Sequence, residues 1–132
     1  MKQEDKDLLL KDLCGRLPYG VKCHIVDLNC VKVIGSIQYI GTHQPSVDVF
    51  DEDDNEYETL YMSELKPYLF PISSMTTDQR IEYTHIANNY GNIASSQAAG
   101  MTIQDWFDKN HIDYRGLIPK GLANDATNLN IY

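Results

Sequence analysis

From Tyr19 onward the apolar residues recur at every second position rather than every third or fourth. That period decides which elements this stretch can build. Val21, Cys23 and Ile25 alternate with Lys22 and His24, and Asn29 marks a turn. Val31, Val33, Ile37 and Tyr39 continue the alternation, with Gly35 placed as a bulge would be. After a loop from Gly41 to Pro45, Val47 and Val49 alternate with Asp48 and Phe50. Tyr57, Thr59 and Tyr61 then alternate with Glu56 and Glu58. Successive strand side chains point to opposite faces, so each segment buries one face and wets the other. Four such strands, closely spaced and joined by tight turns, predict a small closed antiparallel barrel.

The layout, with a wide loop near 41–46 and a Leu65-Lys66-Pro67 exit, resembles an SH3-like or Tudor-like barrel. Before it, Leu9, Leu10, Leu13 and Leu17 fall at helical spacing. Glu4, Asp5 and Asp7 lie where they favour the helix dipole, and Gly15 and Pro18 are the expected stops, so a helix is predicted over 3–14. After it, Thr76 and Gln79 fit a capping box for a helix starting at Thr77, with Ile81, Ile86 and Tyr90 as its apolar stripe. Residues 91–101 read as a flexible connection. Thr102 caps a second helix carrying Ile103, Trp106 and Phe107 on one face. A short third helix is expected after Asp113, then a loose tail over 123–132.

The predicted fold class is therefore α+β: a small antiparallel SH3-like β-barrel with an N-terminal helix and a C-terminal helical segment. The division is 1–72 for helix plus barrel and 73–132 for the helical segment packed on it. Leu69, Phe70, Ile72, Trp106 and Phe107 are the expected join. A chain of 132 residues is one domain, long enough to bury a core without staples.

Charge is concentrated in one place. Residues 48–64 carry eight acids and no Lys or Arg, and the formal net charge of the chain is −8. The remainder is therefore neutral overall. Such a chain is repelled by phosphate backbones, which disfavours generic nucleic-acid binding. The acids fall on the last predicted hairpin. Charge runs are usually solvated faces, and that is the plain reading. The functional alternative is a surface for a basic protein partner, formed by Asp48, Asp51, Asp53, Asp54, Glu56 and Glu58. Like charges on adjacent strands repel one another, and a basic partner relieves that repulsion.

Asp51-x-Asp53-x-Asn55 matches the first half of a calcium loop, but Glu56 replaces the required Gly and Met62 the closing Glu. No metal or cofactor is expected. His24, His43, His85 and His111 are scattered, with no paired ligand spacing. His111, near a helix C-terminus, is expected to bond a carbonyl or favour the dipole. No nucleophile motif or phosphate loop exists, and Cys23 and His24 point to opposite faces of a strand. No catalytic residue is assigned. Arg115 is expected to pair with Asp113 or Asp105. Cys14, Cys23 and Cys30 cannot all pair internally, and a reducing cytoplasm fits them best. The apolar run Leu8–Leu10 is far too short for a signal peptide, and no stretch approaches the roughly twenty apolar residues of a membrane span.

The segments Leu65-Lys66-Pro67-Tyr68-Leu69-Phe70-Pro71-Ile72-Ser73-Ser74-Met75-Thr76, Asp105-Trp106-Phe107-Asp108-Lys109-Asn110-His111-Ile112-Asp113-Tyr114-Arg115-Gly116-Leu117-Ile118 and Lys120-Gly121-Leu122-Ala123 carry a family resemblance. They are similar to an uncharacterised family of small proteins encoded in gut anaerobe genomes, often in prophage or mobile-element regions. The resemblance implies an accessory or regulatory role and no defined activity. The functional expectation is a non-enzymatic interaction protein that binds a basic protein partner through the acidic hairpin or docks a peptide in the barrel groove by edge pairing or side-chain contacts; a nucleic-acid-associated accessory factor and a small enzyme are the alternatives.

Overall fold

The structure, a computed structural model, describes residues 2–38, 45–51, 56–89 and 102–132. The elements are α1 (Gln3–Arg16), β1 (Lys22–Ile25), β2 (Cys30–Gln38), β3 (Ser46–Phe50), β4 (Tyr57–Tyr61), β5 (Leu65–Pro71), α2 (Thr77–Asn89), α3 (Ile103–Lys109), β6 (Ile112–Asp113) and β7 (Asn124–Asp125). Single 3-10 turns follow α1, β4 and β5.

The fold is α+β, and its sheet is open. The order is β4-β3-β2-β1-β5-β6, with β7 also on β5. Closure of the predicted barrel would need β5 to return to β4. Instead β5 pairs antiparallel with β1 and parallel with the two short strands β6 and β7. Backbone groups on a strand edge must find partners when buried. Here residues from the far end of the chain meet that need: Phe70 N–H donates to the His111 carbonyl, and Ala126 N–H to the Leu69 carbonyl.

The β2–β3 register shifts between Ile34 and Ser36, the bulge expected at Gly35. A Cβ on Gly35 would stand 3.2 Å from the Phe50 ring, closer than ordinary contact, so glycine lets that ring rest against β2 without being displaced.

α1 runs through Gly15 to Arg16 rather than stopping at residue 14. Gly15 is there for a close approach: a Cβ would meet an Asp108 carboxylate oxygen at 2.7 Å. The helix gives way at Pro18 and at Gly20, which holds a left-handed φ of 67°.

Two apolar clusters form. The larger joins Leu9 and Leu13 of α1 to the inward residues of β1–β5, and includes Leu117, Leu122 and Ala123. The smaller gathers Trp106, Phe107 and Ile112 with Met75, Tyr83, Ile86, Ile103 and Tyr114. The predicted join is thus divided: Leu69 lies in the first cluster, Trp106 and Phe107 in the second, and Ile72 is exposed. The capping box expected at Thr76 with Gln79 forms, and Thr102, expected as a cap, also makes a box with Asp105. Ile81 points away from the second cluster, 64% exposed, while Tyr83 and Ile86 face it. Tyr90 and the 91–101 connection lie outside the described residues.

No third helix follows Asp113. Its carboxylate instead accepts the N–H groups of Leu117 and Ile118, and Gly116 and Gly121 take φ of 78° and 75°, which breaks any helical run. The last ten residues are anchored rather than loose, through β7, the buried Ala126 and the Tyr132 hydroxyl. Among the described residues no helix is long and apolar enough to cross a membrane.

Candidate functional site

Three facing pairs give the outward side of the β3–β4 hairpin its chemistry: Phe50 opposite Tyr57, Asp48 opposite Thr59, and Ser46 opposite Tyr61. Inward-facing Val47, Val49 and Leu60 enter the larger core and fix this register. The result is an aromatic row, an acidic row and a second aromatic row. Tyr57 is 71% exposed and Tyr61 56%. Phe50 and Tyr57 tilt together at 5.5 Å between ring centres.

The predicted acids divide by role. Asp48 accepts from Ser36 Oγ (3.0 Å), Gln38 Nε2 (2.7 Å) and Thr59 Oγ1 (2.7 Å), so it ties β2, β3 and β4 together. Glu58 meets Lys32 Nζ at 3.1 Å, and this bond raises the Lys32 pKa. Asp51 and Glu56 stand at the base of the tip, where Asp51 N–H reaches the Glu56 carbonyl at 3.4 Å. Glu56 is exposed. Asp53 and Asp54, and with them the centre of the partial calcium motif, lie outside the described residues.

β4 ends the sheet: among the described residues its ladder partner is β3. Tyr61 N–H turns away from β3 and donates to Glu64 Oε2 at 2.7 Å, while the Glu56 carbonyl turns toward β3. Main-chain groups alternate sides along a strand. Hence the N–H and C=O of Tyr57 and Thr59 also face the open edge. Reasoning from charge alone passes over Tyr57 and Tyr61. The signal was present in the excess of nine tyrosines over three phenylalanines, because Tyr suits positions with a wet face.

A second polar constellation lies between α1 and the C-terminal segment. Asp12 and Arg16 are fully buried, one helical turn apart on the face that carries Leu9 and Leu13. Arg16 donates through Nε (2.7 Å) and Nη2 (3.0 Å) to Asp12, and through Nη2 to the Ile112 carbonyl (2.7 Å). Arg115 Nη1 reaches the same Asp12 at 3.0 Å, in place of the expected Asp113 or Asp105. Both guanidinium groups lie over the Tyr114 ring, Arg115 at 4.5 Å and Arg16 at 5.7 Å from its centre. Asp108 is buried 3.9 Å from Arg16 Nε, and its burial raises the carboxyl pKa despite that cation.

His111 adopts φ of 57° and stacks on Tyr132, with 3.7 Å between ring centres. Burial, with help from the nearby Arg16 and Lys22 cations, lowers its pKa to about 4. Its Nδ1 is buried with no hydrogen-bond partner among the described residues, so the ring packs on Tyr132 rather than bonding a carbonyl through that atom. Cys23 is likewise a buried core residue, its thiol pushed up to about 12 by burial, while Cys14 is exposed. The charged constellation fastens α1 to the C-terminal segment. Its Asp108 carboxylate is pressed against Gly15.

A groove of about 430 Å³ runs along α2, lined by Thr77, Arg80, Ile81, Thr84, His85 and Asn88. These residues follow one helix face, so the groove does not draw polar groups together from several elements as a reaction cleft does. Comparison of the chain with family models, curated proteins and solved structures finds no match.

Proposed function

We propose that this is a non-enzymatic accessory protein of the reducing cytoplasm that binds a basic protein partner through its acidic β3–β4 hairpin. The observation that supports it best is the pairing of exposed Tyr57 and Tyr61 with an acid-rich surround on the strand that ends the sheet. Tyrosine supplies contact area at low entropic cost, and complementary charge raises association rate and selectivity. The pairing of β1 with both β2 and β5, and the 3-10 turn that joins β4 to β5, support reading the open sheet as an SH3-like scaffold. Such units host many functions, so this supports a binding scaffold without naming its ligand. An accessory role on a mobile element accords with this reading.

The test is affinity capture with the native protein and with a variant carrying Asn or Gln at Asp51, Asp53, Asp54, Glu56 and Glu58. Asp48 is retained, since it holds the sheet. A partner kept by the native protein, lost by the variant and released by high salt supports the hairpin as the binding surface. The same partner on both proteins refutes it. Salt-dependent retention of the native protein on DNA would favour the nucleic-acid alternative instead.

A further inference from the structure

We infer that the partner is an extended segment bearing Lys or Arg, which adds to the open edge of β4 as a further strand. The inference rests on the hairpin reading and specifies its occupant. Three observations support it. First, the N–H and C=O groups of Tyr57 and Thr59 face the open edge, where a chain running alongside can bond them. Second, Glu64 already takes the Tyr61 N–H, so the stretch of edge that has no ladder partner among the described residues has a defined end, and the added strand a defined register. Third, Tyr57 and Tyr61 lie about 13 Å apart along one face, from a rise of about 3.3 Å per residue. A residue opposite Thr59 on the added strand would have a tyrosine diagonally on each side. A Lys or Arg there meets two ring faces, and the exposed Glu56 adds long-range attraction.

Charge decides among occupants. A second copy of this chain would bring one acidic hairpin against another, and a nucleic acid would bring phosphates against carboxylates. A cationic peptide strand has the complementary sign on both counts.

The probes are an eight-residue peptide alternating Lys and Thr, and the same peptide N-methylated at the backbone nitrogens that would face β4. Binding is measured by calorimetry, and amide hydrogen exchange is followed at Tyr57 and Thr59. The unmodified peptide is expected to bind and to slow exchange at both amides. N-methylation should weaken binding about tenfold or more, since each lost backbone bond is worth roughly 0.5–1.5 kcal/mol and 1.4 kcal/mol is tenfold. Tyr57→Ala or Tyr61→Ala should each weaken it about threefold, the loss of one cation–ring contact. Equal binding of both peptides, with no slowing at Thr59, overturns strand addition while leaving the acidic hairpin as the surface. Absence of binding by either peptide overturns it as well. Equal binding to native protein and to the five-site neutralised variant overturns the hairpin reading itself. Amides at Tyr57 and Thr59 already protected in a dimeric free protein, with Thr59→Pro giving a monomer, would assign the edge to a second copy and overturn the proposal.

Discussion

Tyr132 closes on Lys22. The Lys22 N–H donates to the Tyr132 hydroxyl oxygen at 2.8 Å, and that hydroxyl donates to the Tyr68 carbonyl at 2.9 Å. Lys22 Nζ returns the contact by donating to the Ile131 carbonyl at 3.0 Å. One phenol thus bridges β1 and β5 at the point where the two strands stop pairing, and burial raises its pKa. Replacement of the hydroxyl in Tyr132→Phe should cost about 1 kcal/mol, the net worth of an ordinary hydrogen-bond set at a partly wet site. Urea unfolding monitored by fluorescence measures it. A variant as stable as the native protein would show that the ring alone secures the segment.

Arg16 is fully buried and joins Asp12 of α1 to the Ile112 carbonyl of β6. Arg16→Leu leaves Asp12 and Asp108 buried without their main counter-charge and should cost about 3–5 kcal/mol. Arg115→Leu should cost less, about 1–2 kcal/mol, because Arg16 continues to hold Asp12. Asp108→Asn at neutral pH should leave stability unchanged or raise it, since burial already disfavours that charge. Denaturant midpoints of the three variants rank these effects. Equal losses for Arg16 and Arg115 would contradict the geometry.

His111 makes stability depend on pH in one direction. Its pKa is lowered to about 4, so below the ordinary 6.5 the unfolded chain takes up a proton that the folded protein refuses. This contribution to stability is therefore whole above pH 6.5 and falls as the pH drops toward 4. It amounts to at most about 3.5 kcal/mol at 1.4 kcal/mol per pKa unit. Asp108, whose pKa is raised, acts in the opposite sense and is present in both proteins compared. His111→Asn tolerates the positive φ, is less stable at neutral pH through loss of the Tyr132 stack, and should show a flatter slope between pH 7 and 4. Thermal melts across that range decide; an unchanged slope would place the proton uptake elsewhere.

Asp48 and Glu56 should respond differently to neutralisation although both belong to the acidic run. Asp48→Ala removes the acceptor shared by Ser36, Gln38 and Thr59 and should cost about 1–2 kcal/mol. Glu56→Gln, on an exposed side chain, should stay within about 0.5 kcal/mol. Unfolding midpoints check both. A destabilised Glu56→Gln protein would mean that the tip contributes to the fold.

These residues also show how far the sequence could be read. The period of two located β1 to β4, because alternation is imposed by the pleat and needs no knowledge of neighbours. The capping box at Thr76 and the cap at Thr102 were legible for the same local reason. What was hidden depends on distant partners. Asp12 and Arg16 share the apolar face of α1, a spacing visible in advance, but the Ile112 carbonyl and Arg115 that complete their set come from the far end of the chain. The barrel was expected to close because nothing local in residues 112–126 announces strands of two residues each. Gly15 was read as a stop, whereas its role is to admit the Asp108 carboxylate. Of the candidate surface, the acids were legible and the two tyrosines were not, since charge is a property of composition and exposure a property of register.

The divided edge of β5 also sets an order in time. β1 through β5 can assemble as each turn emerges, but the other side of β5 waits for Ile112 and then for Asn124. Arg16 bonds a carbonyl 96 positions later in the chain. A nascent chain therefore carries a buried-type cation and a bare β5 edge until Ile112 and then Asn124 have emerged and docked.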